Sequence, residues 1–112
     1  MIDIPFGSII LTAFPFTDLS STKRRPALAL SRDQAGVPDI IVAYITSVPR
    51  IDPFAVPLFP DRENGLKVPS MVRFDKLATI DKSIISGRLG SVNQTWLQNQ
   101  RALFYSVFGF EI

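Results

Sequence analysis

The strongest limit on the fold of this chain comes from four prolines in twelve residues, Pro49, Pro53, Pro57 and Pro60. Each proline fixes φ and removes a backbone N–H donor, so the stretch that contains them cannot be helical. It predicts a loop, a short edge strand near residues 55–59, and a turn at Asn64-Gly65. The middle of the chain is therefore expected to be irregular and β rather than α.

Segments on both sides of this stretch have the patterns of β-strands. A β-rich run follows Gly7, and the segment "PALALS" alternates between small or polar and apolar residues with a period of two. The continuous apolar run at residues 40–45 predicts a central strand that is buried on both faces. The predicted strands are residues 8–14, 26–31, 40–45, 55–59, 69–80 and 83–92.

The last segment changes to helical spacing. Its apolar residues are Trp96, Leu97, Leu103, Phe104, Val107 and Phe108. Asn93 is placed to cap the amino end, and Gly109 to stop the helix. The sequence thus predicts five to seven antiparallel strands and one amphipathic helix. This is a mainly β protein, a small curled barrel with a C-terminal α-helix, formed by one domain over residues 1–112.

Composition excludes several classes of site. The 112 residues contain no cysteine and no histidine, which removes thiolate chemistry, the usual zinc ligands and any histidine-containing triad. We expect no metal and no cofactor. Twelve basic and ten acidic residues give a net charge of +2, so any site for a polyanion must be local.

Apolar content and the amino terminus bear on assembly and location. Hydrophobic residues make up 46% of the chain and nine of its residues are Phe, an excess that favours a homodimer. No apolar run approaches the roughly 20 residues that span a bilayer. The start "MIDIPFGSII" is acidic where a signal peptide is basic. We expect a cytoplasmic protein with no membrane association.

The basic cluster Lys23-Arg24-Arg25 stands directly before Pro26 and a strand. It can be a solvated loop. Alternatively, Pro26 fixes the backbone so that the planar guanidinium of Arg25 leaves a rigid edge and grips a phosphate. Thr46 and Ser47 end the apolar strand, and their hydroxyls either cap the backbone or join Arg25 in a pocket for an anion.

The segment "VRFDKLATIDKS" alternates charges of opposite sign. This pattern is typical of cross-strand ion pairs on a solvated face, and Asp81 suits a turn. Asp75 and Asp81 each stand next to a lysine, which makes paired carboxylates for a metal or for acid-base catalysis an unfavourable reading.

Taken in order, the pieces "F.F.D…RRPALALS", "DIIVAYITS" and "PSMVRFDKLATIDKS…GRLGSV" resemble the MazF/PemK (Kid) family of toxins from type II toxin-antitoxin systems. The resemblance implies an SH3-like barrel of the MazF/CcdB type. It also implies a homodimer, a metal-independent endoribonuclease that cuts single-stranded RNA, and inhibition by a cognate antitoxin protein.

The same resemblance assigns roles by position. Arg25 matches the family's catalytic arginine and Thr46 its catalytic threonine. The expected RNA-binding residues are Lys23, Arg24, Ser47, Ser70 and Lys76. The alternative is a non-catalytic protein of the same fold, either a poison of gyrase or an inactive relative that binds antitoxin. The combination of Arg25 with Thr46 favours the enzyme. A general RNA-binding barrel is disfavoured by the low net charge.

Overall fold

The computed structural model describes residues 3–13 and 24–110. Within them, six strands form one antiparallel sheet in the spatial order β4-β5-β3-β2-β1-β6, and two helices follow the last strand. The elements are β1 Ser8–Thr12, β2 Arg25–Ala29, β3 Asp39–Thr46, β4 Ala55–Leu58, β5 Ser70–Asp81, β6 Ile85–Ser91, α1 Gln94–Asn99 and α2 Arg101–Val107. The mainly β fold is confirmed.

The sheet bends because its longest strand changes register. Along β3 and β5, Ala43 pairs with Leu77 but the next residue, Tyr44, pairs with Arg73. The intervening residues of β5 bulge out, which increases the local twist and lets one strand serve two parts of a curled sheet. The two sides of the sheet bury separate clusters, one around Phe74 and one around Ile10.

All six predicted strands are present, with two corrections. Ser83 and Ile84, predicted as strand, belong to a 3₁₀-helix over Lys82–Ile84, and Phe14, the predicted end of the first strand, lies outside the described residues. β3 is central and β4 is an edge strand, as the sequence predicts. The prediction that β3 is buried on both faces is wrong at Ile41, which is 40% exposed. At the amino end of β3, buried and exposed residues alternate because only one face of the strand packs against the core there.

The predicted single helix is two helices. Asn93 caps α1 as expected, its Oδ1 accepting from the Trp96 N–H at 3.1 Å. At Gln100 the backbone N–H donates to Leu97 O, and the side-chain amide donates to Trp96 O at 3.1 Å. That amide occupies the carbonyl that a continuous helix would use, so α1 ends there. Gly109, with φ of +82°, stops α2. None of the helices in the described part of the chain could cross a membrane.

A buried ion pair fastens the loop after β2 to the end of β5. The Lys82 side chain is only 4% exposed, and its Nζ pairs with Asp33 and donates to Gln34 O. Asp33 also accepts from the Ile4 N–H at 2.8 Å, so one carboxylate connects three segments. That hydrogen bond, then the contact with Lys82, lowers the pKa of Asp33. Asp81 forms the expected turn by accepting from Ser83 N–H.

Candidate functional site

A pocket of about 290 Å³ opens where β2 begins and β3 ends. We call it the Arg25 pocket. Arg25 and Lys67 contribute its charges, and Ser47 and Ser70 its hydroxyls. Its remaining lining residues are Leu11, Pro26, Ile45, Gly65, Leu66, Val68 and Leu89. The antiparallel sheet brings these together because the start of β2, the end of β3 and the start of β5 meet at one end.

The Arg25 pocket has the electrostatics of an anion site. Its lining, over the residues that the structure describes, contains two cations and no carboxylate. Arg25 takes part in none of the three ion pairs found between described residues. Positive charge at the border of a partly enclosed, apolar space attracts a ligand of opposite charge more strongly than the same charge in open water.

Strand geometry relates Arg25 to Thr46. β2 and β3 pair up to Ala27 and Tyr44, and the same register extended by two residues sets Arg25 opposite Thr46. Arg25 pairs with Thr12 on its other side. Because side chains alternate along a strand, these three residues share one face, whereas Ile45 and Ser47 face the pocket. Arg25 stands at the strand end, where it also forms part of the pocket wall.

The hydroxyls near the pocket differ in how they are already used. Thr46 Oγ1 accepts from the Val48 N–H at 3.1 Å, which leaves its proton as a donor for a ligand. Ser70 is buried, and its Oγ donates to Val68 O at 3.0 Å. Ser47 is exposed. Ser47 is thus able to donate outward, whereas Thr46 is buried at 9% exposure and Ser70 mainly supports the loop before β5.

The remaining predicted residues lie at different distances from the pocket. Arg24 is exposed and adjoins Arg25, and Lys23 lies outside the described residues. Lys76 is on the bulged part of β5, with its Nζ 4.7 Å from the centre of the Tyr44 ring, and does not line the pocket. The structure brings Arg25, Ser47 and Ser70 together, with Thr46 beside them.

Lys67 was not predicted from the sequence. This lysine belongs to none of the predicted motifs, and it reaches the pocket because the chain turns back at Gly65. The Asn64-Gly65 turn, which the sequence does show, is the signal that a nearby cation can be fixed in position.

Two further observations limit other kinds of site. Among residues 3–13 and 24–110, no group of three or more Asp and Glu side chains is placed to hold a metal ion. A second pocket, between the helices and the sheet, is lined by aromatic and aliphatic residues together with Gln98, Gln100 and Arg101, and its described lining contains none of the predicted site residues.

The fold and the site together define a small, curled β protein with a cationic pocket at one end of its sheet. Residues 6–107 match the family described as PemK-like, MazF-like toxin of type II toxin-antitoxin system. The chain belongs to this family. Comparison with curated protein sequences gives no significant match.

Solved structures share the fold. An endoribonuclease from a mycobacterial species, in complex with its cognate antitoxin, superposes with a TM-score of 0.77 at 16% identity, over 97% of this chain and 98% of the other. The Mycobacterium tuberculosis toxin MazF-mt6 superposes with a TM-score of 0.76 at 24% identity, over 94% of this chain and 99% of the other. A MazE-MazF structure from Deinococcus radiodurans superposes with a TM-score of 0.77 at 22% identity, over 99% of this chain and 100% of the other.

Proposed function

We propose that this chain, as a single toxin domain acting in the cytoplasm, is a metal-independent endoribonuclease that cuts single-stranded RNA and so arrests growth. The observation that carries the proposal is the Arg25 pocket beside Thr46, whose lining, among the residues that the structure describes, includes two cations and no carboxylate. A pocket of this charge suits a phosphodiester. Membership of the toxin family supports the choice of RNA as the polymer.

The proposed reaction uses the RNA's own 2′-hydroxyl. That oxygen gives up its proton to solvent and bonds to the adjacent phosphorus to form a 2′,3′-cyclic phosphate. The bond from phosphorus to the 5′-oxygen breaks, and the leaving oxygen takes up a proton from solvent. Cleavage requires stabilisation of the negative charge that grows on the phosphoryl oxygens. The positive guanidinium of Arg25 supplies this stabilisation, and its two parallel N–H groups fix the orientation of the phosphate. DNA has no 2′-hydroxyl, so it is not cut by this route.

Thr46 has the second role. Because its oxygen already accepts from the Val48 N–H, the proton of its hydroxyl is available to an acceptor on the ligand. We assign it the positioning of the reacting phosphate. Arg25 is a poor proton donor or acceptor because a guanidinium stays protonated in proteins. Its part is therefore electrostatic.

The test is cleavage of a long single-stranded RNA in EDTA, read on a gel. The parent protein should give discrete fragments, and Arg25→Ala should reduce the rate at least a hundredfold, the usual loss when a donor to the transition state is removed. Arg32→Ala is the matched control, since Arg32 is an exposed cation seven positions along the chain. It should cut like the parent.

Three results would count against the enzyme. Intact RNA with folded, antitoxin-free parent protein favours the non-catalytic alternative. Cleavage by Arg25→Ala at the parent rate removes the assigned residue. Activity that EDTA abolishes contradicts the metal-independent reaction.

We also propose two protein partners. One is a second copy of the chain, supported by apolar side chains that remain exposed beside the pocket, Val48 at 64% and Val68 at 50%. Sedimentation equilibrium should give twice the 12.5 kDa of one chain, and a monomer mass would refute the dimer. The other is a cognate antitoxin, supported by the structural similarity to an endoribonuclease and to MazF seen with their antitoxins.

A further inference from the structure

We propose that the Arg25 pocket holds one unstacked nucleoside of the RNA, and that Lys67 binds the phosphate on the side of that nucleoside away from Arg25. This inference rests on the proposed function for its choice of ligand. It adds a binding residue and a division of labour between the two cations.

The pocket suits a single nucleoside. At about 290 Å³ it lies at the small end of ligand pockets, which begin near 300 Å³. Its walls are flat or branched apolar groups, with Pro26 and Ile45 among them, and these offer faces on which a base can lie. Ser47 adds an exposed hydroxyl for the polar edge of a base, and Ser70 Oγ, which donates to Val68 O, can only accept there. A helical duplex cannot enter a space of this size.

Lys67 is held in place by the loop that precedes it. Asn64 is completely buried and acts as the centre of the loop. Its Oδ1 accepts from Asp61 N–H at 3.2 Å and Leu66 N–H at 2.9 Å, and its Nδ2 donates to Phe59 O at 2.8 Å. The backbone on both sides of the turn is thereby fixed, and buried Leu66 anchors the residue next to Lys67.

The loop is also fastened to β6. Ser91 N–H donates to Glu63 O at 2.8 Å. Gly90 permits this contact, because a Cβ there would collide with the Glu63 carbonyl. A Cβ at Gly65 would likewise strike the backbone of Leu89, and the φ of +70° at Gly65 suits glycine. The loop therefore keeps Lys67 at a set distance from the sheet that holds Arg25.

The charges indicate which phosphate of the nucleoside binds Arg25 and which binds Lys67. A nucleoside within a strand carries one phosphate on each side, and the pocket has two cations among its described lining residues. The planar fork of Arg25 suits the phosphate at which oxygens must be oriented, whereas the lysine ammonium acts as a point charge. Lys67 then contributes to affinity rather than to the reaction.

The test uses 2′-deoxynucleoside 3′,5′-bisphosphates, which carry both phosphates and cannot undergo the cleavage reaction. Affinity is measured by calorimetry for the parent, Lys67→Ala and Arg25→Ala, each with the bisphosphate and with the two corresponding monophosphates. Lys67→Ala should weaken bisphosphate binding roughly tenfold, the usual effect of losing one charged hydrogen bond. Lys67→Arg should restore most of it.

The monophosphates identify which cation holds which phosphate. One should bind parent and Lys67→Ala equally while remaining sensitive to Arg25→Ala, and the other should show the reverse. Arg62→Ala is the matched control, an exposed cation of the same loop outside the pocket lining, and should bind like the parent.

The outcomes separate this inference from the proposed function. It is overturned if the parent does not bind the bisphosphate, if Lys67→Ala binds it normally, or if both monophosphates stay fully sensitive to Lys67. Pyrophosphate binding as tightly as the bisphosphate would also overturn it, because the base would then contribute nothing. Absence of RNA cleavage alongside the expected binding pattern would refute the enzyme and leave the nucleoside site standing.

Discussion

Lys82 and Lys67 show two opposite uses of the same side chain. Lys82 is almost fully buried, and the chain itself supplies its counter-charge through Asp33. Lys67 is exposed at the rim of a pocket whose described lining contains no carboxylate. Lys82 holds segments of the protein together, whereas Lys67 is available to bind the phosphate that we propose as its ligand. Position relative to acidic groups, rather than residue type, separates a structural cation from a binding one.

The largest effect should come from removing the support of Lys67 rather than Lys67 itself. Asn64→Ala deletes three hydrogen bonds of a buried amide and leaves their partners unsatisfied, so we expect a loss of about 2–3 kcal/mol in the free energy of unfolding. Binding of the bisphosphate should weaken as well. Urea unfolding and calorimetry measure the two effects.

Asn93→Ala is the matched control for that variant. It also removes an amide that accepts from a backbone N–H, but at the cap of α1, and should cost about 1 kcal/mol. Its ligand affinity should be unchanged. If both variants lose affinity in proportion to stability, the loop has no special part in holding Lys67.

The next effect concerns the buried lysine. Lys82→Ala should lower the free energy of unfolding by about 2 kcal/mol, because it removes a buried partner of Asp33, while the affinity of the folded protein for the bisphosphate stays at the parent value. Arg32→Ala, a change at an exposed cation, should cost less than about 0.5 kcal/mol. A Lys82→Ala protein that is stable but binds poorly would erase the distinction between the two lysines.

The smallest effect is a dependence on pH. The hydrogen bond from Ile4 and the contact with Lys82 lower the pKa of Asp33 below its ordinary 3.8. A carboxyl whose pKa is lower in the folded than in the unfolded state stabilises the fold at any pH above its unfolded-state pKa. That stabilisation is lost as the pH falls through its folded-state pKa. The stability gap between the parent and Asp33→Asn should therefore shrink from pH 6 to pH 3 in urea unfolding. A constant gap would show that the Asp33 charge does not stabilise the fold.

Local patterns predicted most of the fold. The prolines of the middle segment indicated the edge strand β4, and Asn93 and Gly109 marked the ends of the helical region, because each acts through its own backbone. The break at Gln100 was missed because it depends on a side-chain amide competing for one carbonyl, which apolar spacing does not reveal. Lys82 was read as part of an alternating, solvated face because its partner Asp33 is 49 residues away.

The candidate site was predicted in part for a similar reason. Arg25 was found from Pro26 beside it, and Ser47 from the end of an apolar strand. The resemblance pointed to Ser70 and also to Lys76, which the fold places over Tyr44 and outside the pocket lining. Lys67 could not be found, since its closeness to Arg25 exists only after the sheet curls and the Asn64 loop docks on β6.

The pairing of β1 with β6 has a consequence in time. Leu11 and Leu89 both line the pocket, and the chain must be synthesised from one to the other before the wall closes. At about 5–20 residues per second, those 78 positions take roughly 4–16 seconds on the ribosome. Distant pairings of this kind also form late in folding. A nascent chain therefore passes most of its synthesis without a finished pocket.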